Sequence, residues 1–231
     1  MPDAPFAGSK KAPMRSPLAA IERRVIDFWV PRFPRAVESY HLTLLTIPWS
    51  AGMILFGWLA SGDTRWLWGS SLMLFLQWFT DSFDGSIGRF RDTGLAKWGF
   101  YMDHFLDYIF MSSVFVGYAL LMSEPRGVYL TLALGFVYAS VMAHSFLDFG
   151  ATGQFKITYL FTGPTEVRLY FILINTFVIL KGPGWLEAAL PWALVVFALA
   201  LAAIVYAAQK RIWALDMEAK AARAAKADCG E

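Results

Sequence analysis

Residues 42–60, LTLLTIPWSAGMILFGWLA, form an apolar run of nineteen residues without a single charge. At 1.5 Å per residue a helix of this length crosses the roughly 30 Å hydrocarbon core of a bilayer. Five further runs follow: 66–83, 98–122, 128–149, 167–180 and 185–208. The fifth is the weakest; it carries Arg168 and reaches a usable length only if it starts near Pro164. The loops SGDTR, SEPRG and KGPG are short and punctuated, as expected between antiparallel neighbours in a bundle. The runs are too long for strands and do not alternate. The pattern predicts an all-α integral membrane protein, a six-transmembrane-helix bundle.

Composition supports this reading. Hydrophobic residues make up 57% of the 231 residues and charged residues 16%, against about 25% charged in soluble domains. So few charges cannot cover a soluble domain, and the hydrophobicity rules out disorder. A net charge of +2 is too small for a nucleic-acid binder. The single cysteine, Cys229, forbids an internal disulfide and a cysteine-based zinc site. Some forty mostly polar residues precede the first run, which a cleavable secretory signal does not allow.

Lys and Arg set the expected orientation. Seventeen fall on one side, in the N-terminal segment, the 84–97 loop (Arg89, Arg91, Lys97), the loop before the fifth run (Lys156, Arg168) and the tail; only Arg65, Arg126 and Lys181 fall on the other. This predicts a multi-pass protein of the cell (inner) membrane with both termini cytoplasmic. Residues 1–41 divide into a flexible arm, 2–17, and a stretch in which Leu18, Ile21, Val25, Phe28 and Trp29 recur at helical spacing. That stretch reads as an N-terminal amphipathic interfacial helix or as a helix packed on the ends of the spans. Residues 42–208 form the membrane domain, and 209–231 a solvated C-terminal helix or tail.

The chemistry concentrates in 81–107, DSFDGSIGRFRDTGLAKWGFYMDHFLD. Asp81 and Asp84 lie about 60° apart around their helix, Asp103 and Asp107 about 40° apart, so each pair shares a face. Two neighbouring helices can aim all four carboxylates at one point. Acids inside a bilayer are costly, and four like charges repel, so divalent cations would relieve both costs. Clustered carboxylates suit Mg²⁺, Mn²⁺ or Ca²⁺ rather than zinc. Gly85 and Gly88 remove side chains beside them and let phosphates approach the backbone. Arg89 can grip phosphate oxygens bidentately. Together these groups suggest phosphate transfer. The alternative from a different class is a cation-conducting transporter, which predicts polar positions through the whole depth of the bundle. The acids here crowd toward one end.

Asp81-x2-Asp84-Gly85-x2-Gly88-Arg89, then Gly99-x3-Asp103-x3-Asp107, resembles the signature of the CDP-alcohol phosphotransferases (CDP-alcohol phosphatidyltransferases). Gly88 stands where that family usually has Ala, and nine residues rather than eight separate Arg89 from Gly99. The resemblance implies a six-helix membrane bundle that transfers a phospho-alcohol group from a CDP-linked donor to an alcohol hydroxyl and releases CMP. It implies two divalent cations, Mg²⁺ or Mn²⁺, held by Asp81, Asp84, Asp103 and Asp107, with Asp107 also the general-base candidate. Asp84, Gly85, Gly88, Arg89 and Gly99 would lie against the CDP moiety.

Asp103-His104-x2-Asp107 is similar to the D-H-x-x-D of choline and ethanolamine phosphotransferases, which use a CDP-amino-alcohol and diacylglycerol. This makes His104 a second catalytic candidate. Gly163-Pro164-Thr165-Glu166 is similar to a G-P-T-E segment of the same branch, although proline followed by glutamate is also ordinary helix-start chemistry. The compact six-span length looks more like enzymes that use CDP-diacylglycerol and a small polar alcohol, and that donor is favoured. His144 and Asp148, four apart, share a face; they line an acceptor pocket or bond each other. Lys156, Glu166 and Arg168 are the remaining candidates for holding an acceptor or a phosphate. The expected partners are the donor, the acceptor and the bilayer. Trp- and Leu-rich outer faces allow a homodimer, though no small-xxx-small motif singles one out.

Overall fold

The structure is a computed structural model that describes residues 19–153 and 163–228. The expectations for the arm, Leu18, Lys156 and Cys229 lie outside the described residues. Every element is helical and no strand occurs among the described residues. The helices are α1 (Ala19–Trp29), α2 (Ser39–Leu44), α3 (Thr46–Ala60), α4 (Leu67–Arg91), α5 (Ala96–Leu121), α6 (Pro125–Thr152), α7 (Pro164–Lys181) and α8 (Gly184–Asp228).

Four helical stretches are long and apolar enough to cross a membrane: Ser39–Ala60, Ala96–Leu121, Pro125–Thr152 and Gly184–Ala227. The sequence reading expected six. The two that fall short are α4, diluted by Gln77, Asp81 and Asp84, and α7, which carries Glu166, Arg168 and Lys181 in eighteen residues. The first stretch breaks at Leu45 between α2 and α3. Pro48 has no N–H to bond the Leu44 carbonyl, and its ring crowds that carbonyl. The sixth run and the tail are one uninterrupted helix, α8.

Helix α3 packs most closely, on α5 and on α4. A Cβ placed on Gly57 would lie 2.4 Å from the Gly117 Cα, so these two backbones touch where side chains are missing. Met53, Leu74, Phe110, Val114 and Val178 fill the centre. A second cluster of Val30, Leu42, Phe83 and Ile87 seals the end to which the N-terminal segment docks. Arg91 pins that segment by donating to the carbonyls of Val37 (2.5 Å), Pro34 (2.9 Å) and Phe33 (3.2 Å).

Two gaps matter for function. Helices α4 and α5 are consecutive yet scarcely touch, and α7 and α8 meet little beyond their connection. Helices α5 and α7 are bridged by side chains: the Tyr118 hydroxyl donates to Asn175 Oδ1 at 2.5 Å, and Phe115 stacks edge-on against Phe171. Asn175 Nδ2 extends the bridge to Ser71 Oγ on α4 at 3.0 Å. Mid-bundle polar groups are thereby satisfied by one another, as an apolar surrounding requires.

Candidate active site: a carboxylate cluster at the mouth of a deep cavity

Helix α4 runs into the site, the turn 92–95 reverses the chain, and α5 runs out of it. The turn uses two left-handed residues, Asp92 (φ 50°) and Gly94 (φ 71°). The Thr93 N–H closes the end of α4 on the Gly88 carbonyl at 3.2 Å.

Asp81, Asp103 and Asp107 each offer one oxygen, and these oxygens lie within 4.8 Å of one another. Three hard oxygen donors at that spacing fit a divalent ion such as Mg²⁺ or Mn²⁺ and suit zinc poorly. Asp84, 5% exposed, lines the same cavity. Its Oδ2 accepts from Thr43 Oγ1 of α2 at 2.6 Å, and its Oδ1 from the backbone N–H of Gly85. The fourth acid is thus oriented by the first apolar stretch.

Two further side chains reach Asp107. Gln77, one turn before Asp81 on the same face of α4, donates Nε2 to Asp107 Oδ1 at 2.6 Å. Arg168 Nη2 donates to Asp81 Oδ2 at 2.8 Å and lies 3.4 Å from Asp107 Oδ1. The charge count placed Arg168 in a loop. It stands instead in the second turn of α7, with a side chain 7% exposed. It is drawn inward by ion pairs to the half-buried acids Asp81 and Asp107. Helix α7 does begin at Pro164, and Glu166 caps it by accepting from the Gly163 N–H at 2.9 Å. Glu166 does not line the cavity wall among the described residues.

His104 lines the cavity. Its Nδ1 lies 2.7 Å from the Phe100 carbonyl. A carbonyl only accepts, so Nδ1 carries a proton and donates it to Phe100. Gly85, Gly88, Arg89 and Gly99 also line the cavity. A Cβ on Gly99 would meet nothing within 4 Å, and one on Gly85 would approach Arg89 Nη1 to 3.3 Å. His144 and Asp148 do not line it among the described residues. Asp148 is ion-paired to Arg211 of α8, which the charge count had assigned to the solvated tail.

The cavity is large, about 1880 Å³. Its mouth holds the acids, Arg89 and the turn. Beyond Asp107 it turns mostly apolar, lined by Met111, Phe115, Leu134, Phe171 and Phe197 with the hydroxyl residues Tyr118, Thr131 and Tyr138 among them, and it extends along α8 from Ile204 to Trp185. Those nineteen steps of helix span about 28 Å. At the mouth, Glu22 of α1 accepts from Ser82 Oγ of α4 at 2.8 Å and from Thr165 Oγ1 of α7 at 2.9 Å.

Gln77, Thr43 and Glu22 escaped the sequence reading. A glutamine one turn before a site acid, inside an apolar run, was a usable signal. Thr43 and Glu22 carried none, since their partners lie 41 to 143 residues away.

A cluster of carboxylates thus stands at one end of a long, mostly apolar cavity in a bundle of apolar helices. The profile of the CDP-alcohol phosphatidyltransferase family matches residues 41–205, and the chain belongs to that family of phosphotransferases. No curated protein matches the chain.

Proposed function

We propose that the protein transfers a phosphatidyl group from CDP-diacylglycerol to the hydroxyl of a small polar alcohol, with release of CMP, in phospholipid synthesis. The observation that carries this reading is the joining of the three-acid cluster to an apolar cavity as deep as a bilayer leaflet pair. A donor with a charged diphosphate head and two long chains matches both parts. A cation pathway would need charged or strongly polar groups along its depth; here the acids crowd at one end, and the deep lining is mostly apolar, with Tyr118, Thr131 and Tyr138 offering hydroxyls rather than carboxylates.

In this reading α2–α3, α4, α5, α6, α7 and α8 are six spans. Helices α4 and α7 cross because their charges meet one another rather than lipid. Helix α1 lies in the interface, with Ile21, Val25, Phe28 and Trp29 exposed, and the site and both termini face the cytoplasm.

Asp81, Asp103 and Asp107, with Asp84, would hold the divalent ions. Bound there, such ions supply neutralisation of the diphosphate charge. Gly85, Gly88 and Gly99 leave room for the nucleotide, and Arg89 meets a phosphate oxygen from the mouth. Asp107 accepts the proton of the attacking hydroxyl. Its carboxylate is held by Gln77 in one orientation, which spares the entropy of finding it. The new bond joins the acceptor oxygen to the phosphorus that bears the diacylglycerol; the bond from that phosphorus to the CMP oxygen breaks, and CMP leaves with the electron pair. His104, with Nδ1 tied to the Phe100 carbonyl, is the second candidate to handle the same proton.

The test is CMP release by the purified protein from CDP-diacylglycerol, with a panel of alcohols, in Mg²⁺ or Mn²⁺. Asp84→Asn and Asp107→Asn should each lose about 10²-fold or more, and chelation should abolish turnover. Turnover that survives either substitution or chelation overturns the mechanism. Turnover only with a CDP-amino-alcohol and diacylglycerol moves the protein to the choline and ethanolamine branch.

A further inference from the structure

Arg168 is an unusual neighbour for a cation site. It enters from α7 while the acids come from α4 and α5. Its Nη2 touches Asp81 and Asp107, two of the three acids whose oxygens converge. Its side chain is more than nine-tenths buried. Its Nε–H is also buried and has no hydrogen-bond partner among the described residues. A guanidinium held for purely structural ends would have its donors satisfied, since an orphaned buried donor is costly. This one is held by charge, through one nitrogen, on the oxygens a divalent ion would use.

We propose that Arg168 is a tethered cation of this site: it neutralises Asp81 and Asp107 and competes with divalent ions for their oxygens. The inference rests on the divalent-ion reading of the acid cluster. The guanidinium stays charged at all working pH values, so its grip on the acids cannot be titrated away and must be displaced. An ion that reaches Asp81 Oδ2 and Asp107 Oδ1 brings two positive charges beside a third, and that repulsion is only weakly screened in a buried setting. The positive charge therefore lowers the site's affinity for divalent ions while it keeps the acids together in their absence. Once displaced, the guanidinium still lines the cavity and carries unspent donors, among them Nε–H, that a phosphate oxygen can accept.

The test compares the full-length protein with Arg168→Gln and Arg168→Lys in lipid nanodiscs. Mn²⁺ binding is read from the electron paramagnetic resonance of the free ion, and melting is followed with and without Mg²⁺. Arg168→Gln should bind Mn²⁺ about tenfold or more tightly than wild type. It should melt lower without Mg²⁺ and recover on its addition, because the ion replaces the missing charge. Arg168→Lys should bind Mn²⁺ within about threefold of wild type, since the charge is kept. Equal or weaker Mn²⁺ binding by Arg168→Gln overturns the proposal. So does an Arg168→Gln protein that stays unfolded even in Mg²⁺, because a charge role can be filled by the ion. Wild-type protein that binds no Mn²⁺ sinks this proposal and the divalent-ion reading together. CMP release is scored separately, so failure of the competition alone leaves the transferase reading standing.

Discussion

Replacing Gln77 by methionine separates the chemistry of the site from the stability of the bundle. Gln77 is fully buried, donates Nε2 to Asp107 Oδ1 at 2.6 Å, and leaves its own Oε1 buried without a partner. Methionine has a similar length and no polar atoms. The substitution removes a hydrogen bond to a charged acceptor, a loss of about 1.5–3 kcal/mol. It also removes an orphaned acceptor that costs about 1–3 kcal/mol. The two largely offset each other in the folded protein, so the melting temperature should move by no more than about 4 °C. The transition state receives no such compensation. Asp107 loses the contact that orients it toward the hydroxyl, and kcat should fall roughly ten- to a hundredfold with KM for the lipid donor little changed. The assay is CMP release at saturating donor and acceptor, run beside a thermal melt of the same preparation. A Gln77→Met protein that retains kcat within about threefold refutes the reasoning. So does one that loses activity only in proportion to a large drop in melting temperature.

Gly57→Ala places a methyl group 2.4 Å from the Gly117 Cα, and backbone cannot rotate aside; a thermal melt should show a loss of at least about 1–3 kcal/mol. Gly99→Ala meets open space in the protein, so melting should not change, while KM for the CDP donor rises about tenfold if the nucleotide lies there; an unchanged KM removes Gly99 from the nucleotide site. Glu22→Ala cuts the bonds from Ser82 and Thr165, and hydrogen exchange should then speed up across α1 while the α5 core stays protected; unaltered exchange in α1 would mean these two bonds do not hold it. Thr43→Val keeps the volume of the side chain but strips Asp84 Oδ2 of its donor, which should cost about 1–3 kcal/mol in transition-state stabilisation, read from kcat/KM.

Periodicity and spacing made much of this protein legible in one dimension. The apolar runs all lie in helices, although the first is broken at Leu45 and α4 and α8 continue well past their runs, because a chain in lipid must satisfy its backbone internally and helices do so residue by residue. The facing of Asp81 with Asp84 and of Asp103 with Asp107 follows from 3.6 residues per turn, and three of the four acids do meet. Helix α7 starts where Pro164 allows it to start. These are local properties, set within a turn or two of chain.

Arg168 and Arg211 show where that legibility stops. The charge count sets both on the cytoplasmic side, Arg168 also as a candidate for holding a phosphate, and both are ion-paired to acids of other helices, Arg168 to Asp81 and Asp107 and Arg211 to Asp148. A charge in sequence has no stated partner until helices pack. The same holds for Thr43 on Asp84 and for the apolar channel between α7 and α8. The residues alone determined that this chain is helical, apolar and armed with four acids at helical spacing. Only the packing decided which base stands among the acids and how far the cavity runs, because those depend on contacts between segments up to 143 residues apart, whose geometry no local periodicity encodes.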